Sequence, residues 1–108
     1  SIASRAVEAR LLPLAAERGV AVLVNQPFDS GALFGQVRGK ALPELAAEVD
    51  CTSWSQFFLK FILSHPSVTC VIPGTARPDH ARDNFAAGIG RLPDAAQRRR
   101  MAELWGRM

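Results

Sequence analysis

The stretch from Val68 to Asn84, VTCVIPGTARPDHARDN, holds most of the chain's candidate chemistry. A short apolar run stops at Pro73, Gly74 and Thr75, and polar residues then recur at helical spacing from Pro78 onward. Proline suits the first turn of a helix, where its missing N–H would have had no partner. A helix start presents free N–H groups and positive dipole charge, and both attract an anion. Gly74 lets backbone approach a ligand without a Cβ. Arg77 falls at the expected N-cap, where Ser, Thr or Asp would hold the helix better. A guanidinium at a poor cap suits a phosphate. The same junction also reads as an ordinary strand-to-helix turn, with Arg77, His80, Asp83 and Asn84 as solvated polar residues.

The remaining reactive side chains point elsewhere. His65 stands before Pro66, a place for a helix-end cap. Cys51 and Cys70 show neither C-x-x-C nor zinc spacing and read as reduced, structural thiols. Arg98, Arg99 and Arg100 read as a solvated face. With 13 basic and 10 acidic residues among 108, the net charge is +3, too small and too local for the basic stripe of a nucleic-acid protein. No apolar run reaches the roughly 18 to 20 residues that span a membrane. Ser1 to Arg10 is charged and lacks the apolar segment of a signal peptide. A composition 48% hydrophobic and 21% charged fits one small folded domain, residues 1–108, and the expected compartment is cytoplasmic.

Those residues need elements to position them. AVEARLLPLAAERGV has the pattern of a helix, with Leu11, Leu12, Leu14 and Ala15 as its stripe, Pro13 in its first turn or at a kink, and Gly19 as its stop. Val20 to Val24 is short and apolar, as in a strand buried on both faces of a parallel sheet. NQPFDSGALFG is a loop, and PELAAEVD is helical. SWSQFFLKFILSHP opens with Ser53 as N-cap and Gln56 three residues on, a capping box, and Pro66 ends it. Its Trp and Phe residues cover most of the helix, so it packs in the interior. TCVIP is a second strand. Pro78 opens a helix that Gly88 closes, and Asp94 with Gln97 caps a last helix whose apolar face is Met101, Leu104 and Trp105. Two buried parallel strands joined by a helical crossover form a βαβ unit. Two strands alone do not make a self-sufficient sheet, so the fold class is α/β, a piece of a larger architecture.

LKFILSHPSVTCVIPGTARPDHARDNFAAGIGRLPD closely resembles the C-terminal region of aldo/keto reductases, and RAVEARLLPLAAERGVAVLVNQPFDSGALF resembles the segment just upstream. The likeness runs from about Arg5 onward. It rests on a Pro-x-x-x-Gly-x-Leu loop after one strand, then an Ile-Pro-Gly-Thr loop and a helix ending in Asp-Asn after the next. The resemblance implies a (β/α)8 barrel that reduces carbonyls with NADPH. The chain would then be the C-terminal portion of that TIM barrel, with two parallel strands, the seventh and eighth, and flanking helices. Barrels of this kind place a phosphate site in the loops after those strands.

By the same resemblance, Pro27, Phe28, Ser30, Gly31 and Leu33 lie along a pyrophosphate. Gly74, Thr75 and Ala76 meet the phosphate end of the adenosine half. Asp83 and Asn84 hold the adenine amino group. Many relatives carry Lys where this chain has Gly74 and Arg where it has His80, cations that select the 2′-phosphate. Their absence opens the choice between NADP and NAD, and Arg77 is the residue that could compensate. The family's catalytic Asp, Tyr, Lys and His lie in its N-terminal half. This sequence has no Tyr, and Lys40 and Lys60 sit in no matching motif. The expectation is half a cofactor site, no catalytic residue and no metal. The partners would be a dinucleotide and a small carbonyl substrate in a complete barrel, through a missing N-terminal half or self-association. The alternative is a non-catalytic truncated product that acts as an oligomerising or partner-binding module.

Overall fold

The computed structural model describes residues 1–108. Its first helical stretch is broken. A 3-10 turn covers Ala6–Glu8, and α1 begins only at Leu11 and runs to Arg18. Pro13 explains the break: it has no N–H for the carbonyl of Ala9, so a regular helix cannot run through that point. Gly19, in the left-handed region at φ 64, ends α1. Of the expected stripe, Leu12 and Ala15 are buried, whereas Leu11 and Leu14 face outward.

Two short strands follow the expected order. β1 is Leu23–Val24 and β2 is Cys70–Val71, paired in parallel with Leu23 opposite Cys70 and Val24 opposite Val71. Between them the chain crosses over through α2 (Ala32–Gln36), α3 (Leu45–Glu48) and α4 (Trp54–Leu63). After β2 come α5 (Pro78–Ala86) and α6 (Ala95–Gly106). The expectation that Val20 to Val24 is buried on both faces fails. Leu23 is 59% exposed and Val20 is exposed as well, because each strand is paired on one side only. At Val22 the N–H donates to the hydroxyl of Thr69 at 2.9 Å, while the Val22 carbonyl still accepts from the backbone N–H groups of Thr69 and Cys70.

The core lies on the helical side. Phe57, Phe58, Leu59, Phe61 and Ile62 of α4 are buried, joined by Ile2, Leu33, Val37, Leu45, Val49, Met101 and Trp105. Phe58 is the centre of the aromatic packing, 5.7 Å from Trp54 in a stacked pair and 5.5 Å from Trp105 edge-on. Such contacts add to the burial of apolar area itself.

Polar residues lock the helices together. Lys60 is fully buried, and its Nζ donates to the carbonyls of Val49, Ile89 and Arg91 at 2.7, 2.8 and 2.9 Å. Asp50 accepts from Arg91 at both carboxylate oxygens, and that hydrogen-bonded guanidinium holds its carboxyl well below the usual carboxylate range. The expected box at Ser53 is half formed. Ser53 Oγ accepts from the Gln56 N–H, but the Gln56 side chain accepts from Thr52 instead of returning to Ser53. Asp94 and Gln97 form the complete reciprocal box. The arginine run is not a plain solvated face. Arg98 is only 14% exposed, pairs with Glu8 at 2.7 Å, and lies 4.2 Å above the ring of Phe61. Arg100 pairs with Glu48. Cys51 and Cys70 are both free, but only Cys51 is buried, and burial pushes its thiol up to about 11.

Candidate functional site

The loops that leave β1 and β2 converge. The first, Gln26 to Gly31, is bent through the left-handed region at Gln26, Asp29, Ser30 and Gly31, with φ of 47, 52, 52 and 91. Each non-glycine there costs on the order of 1 to 3 kcal/mol. The loop holds this shape because its own backbone closes on itself and its end is anchored. The Asp29 N–H donates to Gln26, and those of Gly31 and Leu33 donate to Phe28. Leu33 is then fully buried in the core.

The second loop, Pro73 to Arg77, has no residue at positive φ. Gly74 is therefore not demanded by a tight turn, and a Cβ built there meets nothing within 4 Å. The Thr75 hydroxyl accepts from the Arg77 N–H at 3.2 Å. Arg77 is the N-cap of α5, its backbone extended and its side chain making no cap bond, and Pro78 occupies the first turn. The orphan N–H groups of that turn are therefore without a side-chain cap.

Together the loops form a cleft of about 710 Å³. Of the residues expected from the sequence, Pro27, Phe28, Ser30, Gly31, Gly74, Thr75, His80 and Asn84 line it. Asn84 is nine-tenths buried, faces this cleft, and its side-chain amide has no protein hydrogen-bond partner. No buried side-chain nitrogen or oxygen lacks a partner, so the Asn84 amide reaches solvent and is open to a molecule that enters the cleft.

The other expected residues do not line the cleft. Leu33 packs in the core and does not line the cleft, because its burial is what anchors the first loop. Ala76 is exposed outside the lining. The Asp83 carboxylate is taken up within the fold, accepting from Ser53 Oγ and Gln56 Nε2, both at 2.7 Å. It ties α5 to the start of α4 and so fixes where Asn84 sits. Arg77 makes a bidentate pair with Asp79, Nε to Oδ1 at 3.1 Å and Nη2 to Oδ2 at 2.7 Å. His65 is a helix-end residue: its Nδ1 accepts from the Ser67 N–H, and burial, then Arg98, lowers its pKa.

Sequence reasoning passed over Gln26, Phe34, Ser55, Ile72 and Pro73, which also line the cleft. Phe34 stands three residues after Gly31, and its ring lies 4.9 Å from that of Phe28. Ser55 is a small polar residue in the first turn of a helix rich in aromatic and aliphatic side chains. That contrast was the available signal.

Residues 1–104 match the profile of the Aldo/keto reductase family. The chain belongs to the aldo/keto reductase family. One relative is an uncharacterised oxidoreductase of Schizosaccharomyces pombe, 35% identical over 81 residues, covering 74% of this chain and 26% of that protein. Another is an NADH-specific methylglyoxal reductase of Escherichia coli, 28% identical over 121 aligned positions, covering 88% of this chain and 37% of that protein. The chain thus spans between a quarter and two-fifths of the length of these curated relatives. The family implies a (β/α)8 barrel, and this chain shows two parallel strands with several helices. No helix is long and apolar enough to cross a membrane.

Proposed function

We propose that this chain is the dinucleotide-holding part of an NAD(P)H-dependent aldo/keto reductase, with β1 and β2 as the seventh and eighth strands of its barrel. The observation that carries this reading is the convergence of the two post-strand loops on one cleft, with the unpartnered Asn84 amide in it. The name of the Escherichia coli relative supports a nicotinamide dinucleotide as the ligand.

The residues present fit that ligand. Ser30 and Gly31 offer a hydroxyl and a bared backbone to a pyrophosphate. Gly74 and Thr75 leave open space and N–H groups at the mouth of α5 for an adenosine phosphate. Asn84 can both donate to and accept from an adenine edge, with Asp83 holding its helix in place. Once bound, the nicotinamide supplies hydride to a carbonyl carbon. This chain has no Tyr to protonate the carbonyl oxygen, so the proton must come from residues that other barrel strands provide. The bare sides of β1 and β2, with Leu23 and Ile72 exposed, are where those strands or a second copy would pair.

Fluorescence titration of the chain with NADH and NADPH tests the reading. At least one dinucleotide should bind, and Asn84→Ala should weaken it by roughly three- to tenfold, as expected for one lost hydrogen-bonding amide. The chain alone should turn over no aldehyde, ketone or quinone with either dinucleotide. Absence of binding by both would remove the dinucleotide reading and leave the bare strand edge as the functional surface.

A further inference from the structure

We infer that the cavity between the Ala6–Glu8 turn, the end of α4 and the start of α6 is a second binding site, one that takes the phosphate group of a small phosphomonoester. It stands apart from the dinucleotide cleft and shares no lining residue with it.

The cavity measures about 480 Å³, within the range of small-molecule sites. Its walls gather donors from three stretches that are distant in sequence. Arg5 comes from the N-terminal segment, Ser64 and His65 from the end of α4, and Arg98 and Arg99 from α6. Arg98 is the fixed member. Its Nε donates to the Phe61 carbonyl at 3.1 Å and to Ser64 Oγ at 3.0 Å, and its Nη2 donates to Glu8 at 2.7 Å. The Nη1 of the same guanidinium has no partner. Arg5 and Arg99 are exposed and pair with no carboxylate. Only Nη1 of Arg5 is engaged, by the Ile2 carbonyl. His65 Nδ1 accepts from the Ser67 N–H, so the neutral ring carries its hydrogen on Nε2, which has no partner either.

Two carboxylates line the cavity as well, and both are engaged. Glu8 is held by Arg98, and Asp94 accepts from the Gln97 N–H that it caps. Three guanidiniums against two carboxylates leave the lining positive before any charge on His65. A tetrahedral oxyanion matches this set, because it accepts several N–H bonds at once and arginine offers them in a fixed fork. Burial, then Arg98, lowers the His65 pKa, while Glu8 raises it. An anion bound beside the ring acts as Glu8 does. Anion binding and protonation of His65 therefore favour each other.

The chain has two histidines, His65 in this cavity and His80 in the dinucleotide cleft, so imidazole NMR reports the two places separately. Inorganic phosphate, titrated at fixed pH and ionic strength, should shift the His65 signals along a saturable curve, and glycerol phosphate should do the same. Glu8→Gln removes the opposing charge and releases Arg98. It should tighten phosphate about threefold or more, a gain that misfolding cannot produce. Arg99→Gln should weaken phosphate roughly three- to fivefold and leave NADH binding within about twofold. Sulfate keeps its charge across the histidine range, and the His65 pKa should be higher in sulfate than in chloride. The inference is overturned if the His65 shifts stay linear with phosphate, if only His80 responds, if glycerol phosphate does not bind, or if neither variant changes the affinity. None of those results touches the dinucleotide reading.

Discussion

The side of the molecule built around α4 and the side that carries β1 and β2 differ in how completely they are closed. On the first, Phe57, Phe58, Phe61, Met101 and Trp105 exclude water, and the one lysine among them is satisfied by three carbonyls. On the second, Leu23 and Ile72 stand more than half exposed, and each strand has a single neighbour. The helical side is held by contacts within this chain. The strand side leaves one edge of each strand without a partner in this chain. The cleft lies where the two meet: its first loop is anchored by Leu33 in the closed side, and its second follows the open β2.

Breaking the closed side should have the largest effect. Lys60→Met would strand the carbonyls of Val49, Ile89 and Arg91, joining α4 to the segments after α3 and α5. A loss of about 3 kcal/mol or more is expected, read as a fall in the urea midpoint. A neutral outcome would mean that those carbonyls find water and that the closed side is looser than its packing shows.

The next test sets one glycine against another. Gly90 has φ 81, and a Cβ there would stand 2.8 Å from Asp50 Oδ2. Gly90→Ala should cost about 2 kcal/mol from the left-handed backbone and the crowding of the Asp50–Arg91 pair. Gly74→Ala, with ordinary φ and open space, should change stability by no more than about 0.5 kcal/mol. Parallel denaturation curves check both. Equal costs would erase the contrast between a glycine needed by the fold and one left open for a ligand.

The smallest effect on stability belongs to the open side. Leu23→Lys should alter the unfolding free energy by about 0.5 kcal/mol or less, since that side chain is already in solvent. It should nonetheless reduce self-association in sedimentation velocity across a concentration series, because charge on a bare edge blocks strand addition. A large destabilisation would show that Leu23 is buried in solution by a partner strand.

Local signals in the sequence identified much of the architecture. Pro78 and Gly19 marked a helix start and a helix end because proline's missing N–H and glycine's freedom at positive φ act within one turn. The Asp94 and Gln97 box was readable for the same reason: both partners lie three residues apart. The apolar wrap of α4 told that it would be buried. What lies beyond a few residues was not legible. Spacing could not show that Gln56 would turn from Ser53 to reach Asp83, or that Arg98 would leave the surface to meet Glu8 and Phe61. Nor could it show that Lys60 would go inside, since a lysine is buried only when distant carbonyls converge on it. The candidate residues themselves came from loop motifs and a family likeness. Which of them face one cleft, and that Arg77 is held by Asp79, was decided by packing. The sequence by itself determined where helices start and stop and which residue types flank the loops, because those are short-range effects of backbone and solvation. Only the tertiary structure decided which polar groups are left without a partner, because that depends on every element that packs around them.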